Sequence, residues 1–377
     1  MTDSEQRNYA GLRVALIHYW FVSRRGGEKV VDEILRLFPQ ADVFTHVIDR
    51  EEFADLAKRH KVTESPIARL PGAKRFYQKL LPLMPTALEQ LDLRGYDLVI
   101  SSESGPAKGV LVDPDTLHVC YCHSPMRYLW DMYHDYREST GWLNRQLMPM
   151  LTHYLRIWDQ NSANRVDHFI ANSEFVRRRI RKTYRRDAVV IHPPVDVSAF
   201  ELTSEKSDYF VMLGQLTAYK QPDKAIEAFA RMPDKRLVVI GQGEMYEQLS
   251  SRGLPNVEFR GHQTAQSVAD TLKHARALIF PGVEDFGIVP LEALACGTPV
   301  IAYAKGGALE TITDQVTGIH YPEPTAESLC TAIKRFEDWE PTIDRQALRQ
   351  AATAFDSNRF RSALEGVLKS ALAEPGM

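Results

Sequence analysis

The sequence predicts an α/β protein of two domains, and three observations lead there. At 377 residues the chain exceeds what one hydrophobic core usually serves. Short apolar runs that end in glycine turns precede segments with apolar residues at helical spacing, as at residues 12–18 and then 28–38. The passage 279–303, IFPGVEDFGIVPLEALACGTPVIAY, compresses a strand end, an acidic loop, a helix start and a second strand into one stretch.

Composition sets the outer limits. Apolar residues make up 44% and charged residues 25%, enough to build ordinary cores and too apolar for a disordered chain. A net charge of −3 supplies no overall field toward nucleic acid. Cys120, Cys122, Cys296 and Cys330 have no zinc-like spacing, and the first two alternate along an apparent strand, so buried thiols and no disulfide are expected. The first ten residues are polar, and no run of about 18 apolar residues exists to span a bilayer. The expectation is a soluble or peripheral protein without a signal peptide.

Taken in order, residues 1–11 read as a frayed terminus and 12–18 as a buried strand. Gly26 and Gly27 then lead into a helix whose Val30, Val31, Ile34, Leu35 and Phe38 recur at helical spacing. Glycines there let backbone amides approach a diphosphate or an acceptor, and a plain tight turn accounts for them equally. Residues 43–47 read as a strand and 51–60 as a helix. Between 67 and 93, Arg69, Lys74, Arg75 and Lys79 mix with Phe76, Tyr77, Leu80 and Leu81, interrupted by prolines. That basic amphipathic pattern suits anionic lipid, or equally a core helix with a solvated edge.

Residues 96–101 and 117–122 read as strands, the second running into His123-Ser124-Pro125. A strand ending in this way aims His123 over the carboxyl edge of its sheet. The aromatic helical region 141–165, with Trp142, Tyr154 and Trp158, reads as core of the first domain. Ser173 stands where it can cap the next helix. That helix carries seven basic residues in the ten from Arg177 to Arg186. A solvated face, an anionic membrane surface and nucleic acid are three readings of it. Nucleic acid is disfavoured by the acidic balance and by the lack of aromatic platforms interleaved with glycine.

The prolines at 193 and 194 lead to a boundary near residue 200. The second domain opens with a strand at 209–213 and the loop Gly214–Lys220, followed by a helix through 225–229, a strand at 236–240 and the glycine turn at 241–244. A further strand ends at Arg260-Gly261. In passage 279–303, Pro281-Gly282 closes a strand at 277–280, Pro290 suits a first helical turn, and Gly297 ends the helix. Helix is expected over 326–337 and 344–372.

Glu284 and Glu292, with Phe286-Gly287-Ile288 between them and Gly297-Thr298-Pro299-Val300 after, resemble the donor-site signature of the retaining family 4 glycosyltransferases. The resemblance implies the GT-B fold: two Rossmann-like, doubly wound parallel-sheet domains facing a central cleft. Residues 1–200, completed by a helix at 356–372, would bind acceptor, and 201–355 would bind a nucleotide sugar. By the same resemblance His123, Lys220 and Glu284 are the catalytic candidates. Lys220 and the amides of Gly287, Ile288 and Val289 would hold the diphosphate, and Glu284 and Glu292 sugar hydroxyls. Gly26, Gly27, Gln215, Gly241, Arg260, Gly261 and Phe286 complete the expected donor site. An arginine usual in the family, five residues before the lysine, is here Gln215. No metal and no cofactor are expected.

Two passages, CHSPMRYLWD at 122–131 and PGAKRFYQKLLPLMP at 71–85, resemble bacterial mannosyltransferases of polysaccharide assembly. This finer resemblance implies GDP-mannose as donor, a polyprenyl-diphosphate-linked glycan as acceptor, and a cytoplasmic enzyme peripheral on the inner face of the cell membrane. A nonhydrolysing sugar-nucleotide epimerase and a nucleotide-binding protein with a degenerate site are the alternatives. Nucleic acid is not an expected partner.

Overall fold

The computed structural model describes Tyr9 and residues 11–373; residues 1–8 and 10 of the expected frayed terminus lie outside the described residues. Tyr9 itself is not frayed. It is buried against Phe38, with ring centroids 5.2 Å apart, so a single aromatic anchors the approach to the first strand. The chain divides into two compact units, one running to Pro193 and resumed from Phe360, the other Pro194–Arg359.

The first unit is built on seven parallel strands, β1 (Val14–His18), β2 (Asp42–Thr45), β3 (Val62–Glu64), β4 (Leu98–Glu103), β5 (Leu117–Cys122), β6 (His168–Ala171) and β7 (Ala188–Val190). Their order is β3-β2-β1-β4-β5-β6-β7. Every residue of β1, β4 and β5 is buried, which is why these runs read as continuous rather than alternating apolar stretches: a parallel sheet is covered on both faces. Winding reverses between β1 and β4, where His18 stands in register with Ser102. Helix α1 (Gly26–Leu37) buries Val30, Val31, Ile34 and Leu35, and its Glu28 carboxylate accepts from the Arg25 amide at 2.8 Å.

Helix α2 (Trp142–Ser162) corrects the expectation of an all-core aromatic segment. Trp158 is buried beside Leu155, whereas Trp142 is 75% and Met150 78% exposed, and Leu147, Leu151, Tyr154 and Ile157 are also exposed. Leu147, Met150, Tyr154 and Ile157 follow three- and four-residue steps and share a face. Aromatic content signalled burial, but the helical period decides which rings receive it. Helix α3 (Glu174–Tyr184) starts as expected, with Ser173 Oγ accepting from the Val176 amide at 3.0 Å.

The second unit is a six-stranded parallel sheet of β8 (Phe210–Leu213), β9 (Leu237–Ile240), β10 (Val257–Gly261), β11 (Leu278–Phe280), β12 (Val300–Tyr303) and β13 (Gly318–Tyr321). Its order is β10-β9-β8-β11-β12-β13, so winding reverses between β8 and β11. Helix α4 (Pro222–Ala230) follows the first loop with proline in its opening turn, and α5 (Ile288–Ala295) follows the acidic loop. The helix expected over 344–372 is interrupted. Helix α6 (Arg345–Ala352) stops at a 3-10 turn, Thr353–Phe355, before α7 (Ser357–Leu372). Phe360, Leu364, Leu368 and Ala371 of α7 belong to the core cluster of the first unit, together with Val14, Leu16 and Ile100. The helix expected at 51–60 covers only Ala54–Arg59.

Candidate functional site

In an open parallel sheet, ligands collect beyond the strand carboxyl ends where winding reverses, because adjacent crossovers leave there in opposite directions. Each unit places predicted residues at that point. In the second, the loop after β8 ends at Lys220 and the loop after β11 carries Glu284; Lys220 Nζ lies 2.8 Å from Glu284 Oε1. Both are partly exposed, so their charges remain within reach of a ligand. The two loops approach so closely that a Cβ on Gly282 would sit 2.7 Å from Lys220 Cα. Only glycine fits. A shallow open pocket lies here, lined by Gly214, Gln215, Leu216, Lys220, Gly282 and Glu284.

Gly287 caps α5 with φ of +87°, a backbone conformation that the expected glycine permits, and Ile288 and Val289 form the first turn behind it. Glu292 lies one turn further and is buried. Phe286 is buried against Phe355, 5.6 Å between centroids, so its side chain packs rather than lines the pocket. The Gly241 amide donates to the Gly261 carbonyl at 2.8 Å, and the Gly214 amide to Ile240, which ties the β8, β9 and β10 ends together. Arg260 directs its guanidinium to Glu258 at 2.8 Å and to Thr271 Oγ1 at 3.3 Å. Gln215 is exposed at the pocket wall.

In the first unit, His123 follows β5 and its Nε2 lies 2.9 Å from Ser102 Oγ. Ser102 Oγ also lies 3.1 Å from His18 Nδ1, and His18 Nε2 lies 3.5 Å from Glu28 Oε1. Gly26 and Gly27 open α1 beside this row; a Cβ on Gly27 would be 3.7 Å from His123 Nε2. Burial opposes ionisation of Glu28, but the neighbouring His18 ring and the Arg25 amide outweigh it and hold the carboxyl below its ordinary range. His18, Glu28 and Ser102 were not singled out in the sequence. The available signal was that His18, like His123, closes an apolar strand with a polar ring.

Behind the row is a buried ion cluster, also missed. Lys108 Nζ lies 3.3 Å from Glu103 Oε1 and bonds Asp159 Oδ1, and all three side chains are fully buried. The other Glu103 oxygen accepts from the Ala107 and Lys108 amides at 2.7 and 2.8 Å, and Trp130 Nε1 donates to Asp159 at 2.7 Å. Such a network is stable only when its lone pairs are filled, and it fixes the loop after β4 next to Ser102. Among the described residues no group of three His, Cys, Asp or Glu side chains is placed to hold a metal ion, and no helix is long and apolar enough to cross a membrane.

Two family models match the chain. Residues 24–199 match Glycosyltransferase Family 4 and residues 196–355 match Glycosyl transferases group 1. The chain is 27% identical over 247 residues to a D-inositol 3-phosphate glycosyltransferase of Mycobacterium avium (strain 104), covering 58% of each protein. To the protein of that name from Mycobacterium leprae (strain TN) it is 28% identical over 187 residues, 43% of this chain and 44% of the relative. The chain thus spans about half the length of the curated relatives it matches. Among solved structures, Anabaena Alr3699/HepE in complex with UDP superposes with a TM-score of 0.70 at 17% identity, over 95% of this chain and 100% of that one. Sucrose-phosphate synthase from Thermosynechococcus elongatus gives 0.70 at 18%, over 96% and 99%. WaaG, a glycosyltransferase involved in lipopolysaccharide biosynthesis, gives 0.66 at 18%, over 94% and 99%. These likenesses establish the fold as GT-B.

Proposed function

Since residues 24–199 match Glycosyltransferase Family 4, residues 196–355 match Glycosyl transferases group 1 and the fold is GT-B, we propose that this chain is a retaining glycosyltransferase that transfers a hexose from a nucleotide sugar. The observation that carries the proposal is the Lys220–Glu284 pair at the winding reversal of the second sheet, in the loops leading to the first turns of α4 and α5. Breaking a sugar–phosphate bond develops positive charge on the sugar carbon and negative charge on the diphosphate, and this pair meets both. Lys220 and the amides at the start of α5 receive the diphosphate, each well-placed donor contributing about 3 kcal/mol to barrier lowering. Glu284 accepts from sugar hydroxyls. Glu292 serves the ribose, and His123 is the catalytic candidate of the first unit.

The preferred donor is GDP-mannose and the preferred acceptor a glycan carried on a polyprenyl diphosphate at an anionic membrane surface. The two passages that resemble bacterial mannosyltransferases support the donor. Two surface features support the membrane. Arg177, Arg178, Arg181, Lys182 and Arg185 of α3 and its C-cap are exposed, and the outward face of α2 presents Trp142, Leu147, Met150, Tyr154 and Ile157 with Arg145 on the same helix. Exposed aromatic and aliphatic side chains and exposed positive charge suit an anionic lipid interface, with Arg177 the member of the set that pairs with Glu174, at 2.7 Å. A uridine nucleotide is the second reading, because the similar Anabaena structure holds UDP.

A thermal-shift panel of GDP, UDP, ADP and their sugars tests the reading, since a ligand that binds only the native state raises Tm. Selective stabilisation by GDP and GDP-mannose is expected. A preference for UDP overturns the donor and keeps the reaction class. Conversion of a nucleotide sugar without acceptor would make the protein an epimerase, and no response to any nucleotide would make the site degenerate.

A further inference from the structure

In the row Glu28, His18, Ser102, His123, Ser102 Oγ bridges the two imidazoles by hydrogen bonds, and the Glu28 carboxylate faces the far nitrogen of His18 at 3.5 Å, an electrostatic contact longer than a hydrogen bond. The first three side chains are buried, at 4%, 0% and 0% exposure, so water cannot easily replace a missing partner. In such a row the proton position at one end dictates the proton position at the other. We propose that Glu28, His18 and Ser102 are positioning residues that fix the tautomer of His123, holding its ring proton on Nε2 and leaving Nδ1 the acceptor nitrogen. The functional meaning of that tautomer rests on His123 acting in transfer; the proton arrangement does not.

The assignment starts at Glu28. One of its oxygens accepts from the Arg25 amide at 2.8 Å, and the other faces His18 Nε2 at 3.5 Å. An ionised carboxylate repels a nitrogen lone pair, so the His18 proton sits on Nε2. With the ring neutral, a proton on Nε2 leaves Nδ1 bare. A neutral His18 with Nε2–H has Nδ1 as acceptor, and Ser102 must then donate its hydroxyl proton across the 3.1 Å contact. With that proton committed, Ser102 Oγ accepts from His123 Nε2 at 2.9 Å. The hydroxyl has one proton, and once that proton is committed to His18 the oxygen can only accept from His123. A carboxylate on α1 thereby determines which nitrogen of a ring beyond β5 is basic.

The row can be reversed by one atom. In Glu28→Gln the amide oxygen can keep the Arg25 amide while its nitrogen faces His18 and donates to Nε2. His18 then carries its proton on Nδ1 and donates to Ser102, which donates to His123 Nε2, and His123 becomes the Nδ1–H tautomer. Nitrogen-15 NMR of histidine-labelled protein reads this directly, because protonated and bare ring nitrogens resonate far apart, and it requires no substrate. The wild type should show His123 with Nε2 protonated, and Glu28→Gln should exchange the two nitrogen signals of His123. In Ser102→Ala the link is cut, and adding Glu28→Gln should leave the His123 signals where Ser102→Ala alone puts them.

A wild-type His123 with bare Nε2 overturns the proposal even if no variant folds. So does an unchanged His123 in folded Glu28→Gln, or an equal response to Glu28→Gln with and without Ser102. Loss of nucleotide binding across the panel would refute the transferase reading and leave these spectra unaffected.

Discussion

Lys220 Nζ and Glu284 Oε1 lie 2.8 Å apart, although they come from crossovers 64 residues apart that meet only because β8 and β11 are neighbours. A lysine neutralised by a carboxylate is less attractive to a diphosphate than a lone one, so the pair sets affinity and turnover against each other. Glu284→Gln should bind free nucleoside diphosphate more tightly and lower transfer at least tenfold. Lys220→Ala should weaken nucleotide binding and transfer, each at least tenfold. Calorimetric titration with the diphosphate beside an initial-rate assay separates the cases; unchanged affinity in both variants would remove the pair from the donor site.

The outward face of α2 should be dispensable for folding and needed at a membrane. Met150→Asp with Ile157→Asp places two carboxylates among exposed apolar side chains. Sedimentation with vesicles containing anionic lipid should fall at least fivefold, with Tm unchanged. A large loss of Tm would mean that the face is covered by protein.

Two buried histidines predict acid sensitivity. Burial pushes His46 and His118 down to about 4, against an ordinary 6.5. Between these values the unfolded chain binds protons that the folded protein refuses, so stability is full above about pH 6.5 and falls as pH drops toward 4. The loss is at most about 3 kcal/mol per ring. His118 bonds Ser101 Oγ at 2.9 Å and the Arg165 carbonyl at 3.2 Å, and His118→Gln should flatten part of the loss in urea titrations across that window.

Gly282→Ala tests the loop contact beneath Lys220. The new methyl group would lie 2.7 Å from Lys220 Cα and 3.1 Å from its carbonyl oxygen. Backbone on both sides can yield only by moving the lysine. The expected result is a stability cost of about 1–3 kcal/mol together with loss of nucleotide-dependent stabilisation, read in one thermal-shift experiment.

Most of the central strands were legible because buried parallel strands are continuous apolar runs, and β1, β5 and β11 follow theirs closely, whereas the short edge strands β3, β7 and β13 were not read. Passage 279–303 was legible for a related reason: Pro281, Gly282, Gly287 and Gly297 punctuate it where the backbone turns. What composition could not supply was orientation. Trp142 and Trp158 occupy one helix, yet only the second is buried, and nothing in either residue alone distinguishes them. The row from Glu28 to His123 was hidden because its members lie at four separate places in the chain and meet through strand order. Lys108 and Asp159 are 51 positions apart and give no local sign of each other.

Helix α7 has a consequence for synthesis. Phe360, Leu364, Leu368 and Ala371 complete a core that begins at Tyr9 and Val14, so the first unit closes only when its two distant segments meet. A nascent chain emerging from the ribosome carries β1 to β7 with an apolar gap on the sheet while the whole second unit is translated. That interval is when chaperones would be needed most. It also makes residues 360–371 a poor place to truncate: the damage would appear in the half of the molecule made first.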